Sequence, residues 1–244
     1  MRLDHYLVEK KFFKSRTQAQ EAIKKGRVQV LIENSWIVQT KPSFICNETT
    51  QTKCDTSEFN WSSRAGLKLE KALKHLKLNL CQQVALDIGQ STGGFTDVLL
   101  NSGVKKVFGV DVGKNQLDEK LRKDDRVTFY ENQDARDLSC IKSITIDFFT
   151  VDLSFISLLK VAPEIHSILN LNKTRGLFLV KPQFEVGRSL IGKGGLVKAS
   201  EVHLQCEKNI IVGLENIGFK VLDYFPSDLK GKDGNQEFFC FVST

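Results

Sequence analysis

Two lysines and two carboxylates carry the most specific chemistry in this chain. Lys181 follows the apolar run Leu177–Val180 and precedes Pro182. A lysine ending an apolar strand just before a strand-stopping proline is an unusual placement. A free lysine, with a pKa of about 10.4, is a poor base at neutral pH; burial and neighbouring cations depress it. Lys68, in a basic helical stretch, is the candidate neighbour. Asp152, ending the run from Phe148, can orient an ammonium, and Glu237, opening the last apolar run, can complete the set. Such a group can take a proton from a hydroxyl. Each member also has a plainer reading: Lys68 as a solvated face, Lys181 as a snorkelling strand end, Glu237 as an edge charge.

A second cluster precedes these residues. The run Asp87-Ile88-Gly89-Gln90-Ser91-Thr92-Gly93-Gly94-Phe95 joins an apolar strand to a helical segment. A glycine-rich turn there is a nucleotide-cofactor site by location. The dinucleotide spacing G-x-G-x-x-G is absent. Gly93 and Gly94 allow close backbone approach. Asp111, with Val112, ends the second strand and is placed to accept ribose hydroxyls. Asp134, with Ala135, ends the third and is placed to take an adenine amino group. These marks in order suit S-adenosylmethionine; the plain alternative is a glycine turn with ordinary surface acids. After Asp152 the chain reads Leu153-Ser154-Phe155, without the Pro-Pro-aromatic pattern of base amino methylation. No cysteine stands in this motif or the next to attack a pyrimidine, so base chemistry is disfavoured.

The elements that must position these residues alternate. Strands are predicted at Val84–Ile88, Val107–Val112, Val127–Tyr130, Phe148–Asp152, Leu177–Val180, Val221–Phe225 and Phe238–Val242. Helices are predicted at Phe95–Ser102, Gln116–Lys123, Ser157–Leu169 and Ser200–Ile217. This is an α/β pattern: a seven-stranded, mostly parallel sheet covered on both faces. The last two strands are close enough to form an antiparallel hairpin at one edge. Before them, Leu69, Ala72, Leu73, Leu76 and Leu80 recur at helical spacing, on a segment bearing Arg64, Lys68, Lys71, Lys74 and Lys77.

The first 27 residues hold eight basic side chains (Arg2, Lys10, Lys11, Lys14, Arg16, Lys24, Lys25, Arg27) against three acids, nearly the whole net charge of +6. Ser15 and Gln18 form a capping box, and Gly26 stands where the helix from Ser15 ends. Strands at Val28–Ile32 and Trp36–Val38 follow, giving a small α+β unit that ends near residue 56. Residues 46–60 have linker composition. With 244 residues, 41% of them hydrophobic, the chain suits one full domain plus a small one. No apolar run reaches the roughly 18 residues of a spanning helix, and the first residues lack a signal-peptide core. The six cysteines form no C-x-x-C pair, so no metal site is expected. Cys46 and Cys54 could pair across a hairpin; reduced thiols are the plainer reading.

At these motifs the sequence resembles the TlyA family, named for a haemolysin and understood as ribosomal RNA 2′-O-methyltransferases with an FtsJ-like catalytic domain. The likeness rests on Ser63-Arg64-Ala65-Gly66-Leu67-Lys68, Ser91–Phe95, Asp111-Val112-Gly113, Asp152–Ser157, Val180–Gly187 and Gly234–Glu237. It implies a Lys-Asp-Lys-Glu catalytic set at Lys68, Asp152, Lys181 and Glu237, with S-adenosylmethionine as cofactor. It implies a Rossmann-like class I methyltransferase domain at 64–244, a linker at 59–63, and a small RNA-binding domain at 1–58 like one in a ribosomal protein and in pseudouridine synthases. It implies a cytidine ribose in ribosomal RNA, within ribosomal subunits, as substrate, and a cytoplasmic enzyme without stable membrane association. Gln90 stands where the family has a small residue, so the methionine end of the cofactor is expected to be held differently. Trp61 is kept in the linker, but the family's arginine and valine are not. The chain's length resembles the shorter form, which methylates only the large subunit. The basic segment Gly187–Ala199, with Gly192, Lys193, Gly194, Gly195 and Lys198, is a candidate lid or an ordinary surface loop. A non-catalytic RNA-binding assembly factor, a small-molecule methyltransferase and a membrane-active cytolysin remain as alternatives. No oligomeric state is read from the sequence.

Overall fold

The structure, a computed structural model, describes residues 1–56, 61–169, 174–197 and 199–244. Two compact units emerge, Met1–Trp61 and Ser62–Thr244.

The first unit is α1 (Leu3–Glu9), α2 (Arg16–Lys24) and an antiparallel sheet of β1 (Val28–Ile32), β2 (Ser35–Val38) and β3 (Thr52–Cys54), in the order β2-β1-β3. Ser15 caps α2 by accepting from the Gln18 amide, while the Gln18 side chain accepts from the Lys14 amide, one residue earlier than a reciprocal box requires. Val28 and Val30 point at Leu3, Leu7, Ala19, Ala22 and Ile23 to make the core. The polar stretch after residue 46 is not all linker: β3 pairs with β1 inside it. Phe59 and Asn60 of the expected linker lie outside the described residues.

The second unit opens with α3 (Arg64–His75), then β4 (Val84–Ile88), α4 (Gly94–Asn101), β5 (Lys106–Asp111), α5 (Glu119–Arg122), β6 (Val127–Glu131) and β7 (Phe148–Val151). It continues with α6 (Ala162–Ile168), β8 (Arg175–Val180), α7 (Pro182–Glu185), α8 (Ser200–Ile217), β9 (Lys220–Pro226) and β10 (Phe238–Ser243). The sheet order is β6-β5-β4-β7-β8-β10-β9. Strands β4 to β8 are parallel, and β10 runs antiparallel between β8 and β9. This is the expected mostly parallel seven-stranded sheet. Phe148, Phe149, Phe178 and Phe239 are fully buried along its middle. Helix α8 covers it through Cys206, Ile210 and Leu214, four residues apart as a helical stripe demands.

Three helices are shorter than their periodicity predicts. α3 stops at His75 because Lys77 turns left-handed, and buried Leu80 reaches the core from the loop. α5 starts only at Glu119, where Asp118 caps it. The segment from Ser157 breaks into a tight turn at Leu158–Lys160 and then α6, with Pro163 in the first turn of that helix. Proline disfavours helical geometry in the residue before it, so it starts helices better than it continues them. All six cysteines are free, Cys46 and Cys54 included.

Candidate active site

Strand register brings three of the four proposed catalytic residues to one edge. β7 and β8 are parallel neighbours, so the residues after them, Asp152 and Lys181, leave the sheet side by side. β10 is antiparallel, with Phe238 opposite Val180, so Glu237 enters at the level where Lys181 leaves. Lys68 arrives from outside the sheet, on α3. A Cβ on Gly94 would strike the Ser63 hydroxyl and lie 3.0 Å from the Gly66 nitrogen, so glycine is what lets α3 close onto α4. Asp97, in the first turn of α4, fixes that approach by accepting from the Ser62 amide and hydroxyl at 2.8 and 2.9 Å.

The four residues form two ion pairs. Lys181 Nζ lies 2.7 Å from Asp152 Oδ1, their side chains 11% and 17% exposed. Lys68 pairs with Glu237, at 11% and 4% exposure. Burial pushes the Glu237 carboxyl above its usual range; Lys68, then Lys181, pull it back only in part, and Asp152 adds a further push upward. Both pairs therefore sit in one electrostatic cluster. The ammonium of Lys181 also donates to Ser154 Oγ at 2.9 Å.

Loops behind the cluster are cross-braced. Glu185 accepts from the Ser157 hydroxyl at 2.7 Å and the Leu158 amide at 2.9 Å, joining the loop after β7 to the turn after β8. Gln183 donates to Asp233 at 3.0 Å. Buried Asn235 accepts from the Val197 amide and donates to the Gly195 carbonyl and Asp233. That amide ties part of the glycine-rich basic segment to the stretch that carries Glu237 into β10; Lys198 lies outside the described residues. Phe155 is 91% exposed with a left-handed backbone, its ring 5.2 Å from that of Phe184. Positive φ is rare for an aromatic residue, and here it leaves an open ring beside Ser154. Asp97, Ser154, Glu185 and Asn235 were not singled out as site residues in the sequence; for the last three, the only signal was membership in the motifs around the proposed catalytic residues.

On the cofactor side the expected residues divide. A Cβ on Gly89 would strike the Asp152 carbonyl, so glycine lets the loop after β4 lie against the catalytic turn. Asp111 accepts from the Ser91 amide at 2.8 Å and the Gly113 amide at 2.6 Å. Its oxygens, with about four acceptor positions in all, retain capacity for two hydroxyls. Val112 beside it is 73% exposed, an apolar side chain open to solvent. Ser91 and Thr92 are exposed, Gly93 and Gly94 are buried in the turn, and Ala135 is buried after β6. Two residues, Asp87 and Phe95, turn inward rather than toward a ligand, and Asp134, still partly exposed, is already paired. Asp87 is fully buried, its oxygens taken by the Thr96 and Thr150 hydroxyls, and burial raises its pKa to about 6. Phe95 packs into the core near Phe239. Asp134 is clamped by Arg136 through two guanidinium contacts and a backbone amide, which hold its pKa down at about 2. Gln90 points inward: it donates to Thr96 at 2.8 Å and fills the space over Gly109. It extends the Asp87–Thr96 network. Exposed Ser91 and Thr92 in the glycine turn, the Asp111 carboxylate and exposed Val112 fit an adenosyl cofactor.

Residues 61–243 match the model of the FtsJ-like methyltransferase family, and residues 1–30 match the S4 domain. The chain belongs to the FtsJ-like methyltransferase family. Among relatives of this methyltransferase, "Hemolysin A" of Brachyspira hyodysenteriae is 37% identical over 98% of both chains. The "16S/23S rRNA (cytidine-2'-O)-methyltransferase TlyA" of Mycobacterium tuberculosis is 35% identical over 100% of this chain and 90% of its own. A solved structure of a hemolysin-named protein from Streptococcus thermophilus superposes with a TM-score of 0.76 at 36% identity, covering 99% of this chain and 87% of that one. Among the described residues of the methyltransferase, no helix is long and apolar enough to cross a membrane.

In the S4 unit of this methyltransferase the basic residues expected at RNA divide as well. Arg2 and Arg16 both bond the fully buried Asp4 carboxylate, which also accepts from Gln20 at 2.6 Å. Burial pushes that carboxyl up, but these hydrogen bonds outweigh it and hold the group well below the usual range. The two arginines remain about half exposed, so each can brace the fold and meet a phosphate. Lys25 pairs with Glu21, and Arg27 approaches Asp55 at 3.6 Å. Lys10 lies over the Tyr6 ring, and Lys10, Lys11, Lys14 and Lys24 are exposed. Arg64 is half buried in the first turn of α3.

Proposed function

We propose that this methyltransferase transfers a methyl group from S-adenosylmethionine to the 2′-hydroxyl of a cytidine in ribosomal RNA of the large subunit. The observation that carries the reading is the pairing of Lys181 with Asp152 and of Lys68 with Glu237 at one sheet edge, beside the glycine turn. When bound, S-adenosylmethionine supplies the methyl group, its carbon–sulfur bond breaking with the electron pair left on sulfur. Gly89, Ser91, Thr92, Gly93, Gly94, Asp111, Val112 and Ala135 would hold it. Lys181, in its neutral form, accepts the hydroxyl proton, and Asp152 steadies the ammonium that results. A positioned base contributes about 10²–10⁴ in rate, and much of the rest comes from holding two reactants in line. Lys68, anchored by Glu237, steers the ribose or its phosphate.

The S4 unit grips phosphates, which position the protein and carry little sequence information. Structured RNA is read by shape and 2′-hydroxyls, and the target nucleotide leaves its stack to reach the methyl group. The M. tuberculosis relative's name includes both 16S and 23S RNA, so both subunits belong in the test. Labelled S-adenosylmethionine is incubated with separated subunits and free ribosomal RNA. Label at a ribose of large-subunit RNA, resistant to alkaline cleavage there, supports the reading; label on a base, or none despite cofactor binding, contradicts it. The assembly-factor alternative predicts RNA binding without label. The haemolysin names of relatives raise a cytolytic reading, for which liposome leakage is the discriminating assay.

A further inference from the structure

The proposed reaction requires the lone pair of Lys181 to face the acceptor hydroxyl, and the surroundings of Nζ bear on how it is aimed. Beyond Cε, an amine nitrogen has three tetrahedral positions. One lies toward Ser154 Oγ, at 2.9 Å in hydrogen-bond geometry. Asp152 Oδ1 lies 2.7 Å from Nζ outside hydrogen-bond geometry and acts on the amine by charge. An ionised carboxylate only accepts, so it draws an N–H. A serine hydroxyl also accepts, and Ser154 is exposed, so its own proton can turn to solvent. In the neutral amine the Ser154 hydrogen bond holds one N–H, and the Asp152 charge repels the lone pair, which is left to the side away from both.

We propose that Ser154 is a positioning residue that orients the Lys181 lone pair toward the acceptor hydroxyl. The proposal rests on the reading of Lys181 as base. The turn that carries Ser154 is held from both sides: Asp152 donates its amide to the Ile88 carbonyl, and Glu185 binds Ser157 and Leu158. In the step itself the proton leaves the hydroxyl oxygen for Nζ, the amine becomes an ammonium, and Ser154 exchanges no atom.

The test uses full-length wild type, Ser154→Ala and Ser154→Thr. The first readout needs neither RNA nor cofactor: trace acetylation against pH, with Lys181 and exposed Lys123 quantified by mass spectrometry. The expected result is a displaced Lys181 profile in Ser154→Ala, restored in Ser154→Thr, with Lys123 unchanged. The second readout is single-turnover methyl transfer to large ribosomal subunits. The rate falls about tenfold in Ser154→Ala, the worth of one hydrogen bond, with half-saturating cofactor and RNA unchanged, and Thr restores it. Superimposable Lys181 profiles, or an unchanged single-turnover rate, overturn the proposal. A wild type that transfers no methyl while the Lys181 profile still responds to Ser154→Ala removes the functional reading and leaves the Ser154–Lys181 orientation standing.

Discussion

Glu237→Ala is the perturbation that best separates what the Lys68–Glu237 pair does for the fold from what it does for the chemistry. Both side chains are nearly buried, 11% and 4% exposed. Removing one partner of such a pair leaves the other charge uncompensated and costs about 3–5 kcal/mol. In a domain of this size each kcal/mol lowers Tm by about 2–4 °C, so the expected loss is about 6–20 °C. The double variant Lys68→Met/Glu237→Leu replaces the pair with apolar side chains and recovers most of that loss, because the desolvation cost goes with the charges. The coupling between the two sites is then read from a double-mutant cycle closed by the single variants Lys68→Met and Glu237→Leu. Thermal unfolding by circular dichroism gives the stabilities, and methyl transfer is measured below each Tm. The double variant regains stability without regaining turnover. A Glu237→Ala Tm within about 2 °C of wild type, or additive single and double effects, refutes the buried-pair account.

Other outcomes follow from the same geometry. The Asp4 carboxyl is lowered in the folded state, so the stability it provides is present above its unfolded value of about 3.9 and is lost as pH falls through the folded value. Asp4→Asn should therefore weaken the S4 unit at neutral pH and flatten its acid limb below about pH 4 in a pH–Tm series. Asp87 has the opposite sign: its folded value is raised to about 6, so its contribution is present below the unfolded value and lost as pH rises through 6. Asp87→Asn should remove that decline between pH 4 and 6 in urea unfolding. Phe155→Ala should lower kcat/KM for RNA by roughly tenfold or more, as expected where an exposed ring stacks a base, with calorimetric cofactor affinity unchanged.

The alternation of apolar runs and helical segments carried the main sheet, because burial on both faces writes strands as continuous apolar stretches. The ends of helices were less legible. α3 stops at a left-handed Lys77, a residue type with no turn signature, and α5 is cut short by a side-chain cap that competes with helical periodicity. Asp152, Lys181 and Glu237 stood out because each flanks a strand end, where register sets them together; Lys68 stood out only as part of a basic helical stretch. What remained hidden depends on contacts between distant segments. Asp97 reads as an ordinary helix acid until Ser62 is seen beside it. Gln90 reads as an intrusion into the cofactor turn until its amide is found over Gly109, inside the Asp87 network. Asp134 reads as a free carboxylate, although Arg136 two residues on was in plain view; short-range pairing of that kind can be read from sequence.

The most direct test is methyl transfer by Lys181→Ala beside wild type, using labelled S-adenosylmethionine and large-subunit RNA. The account predicts a ribose label with wild type, and none with Lys181→Ala at undiminished cofactor binding. Wild-type turnover by Lys181→Ala would contradict it.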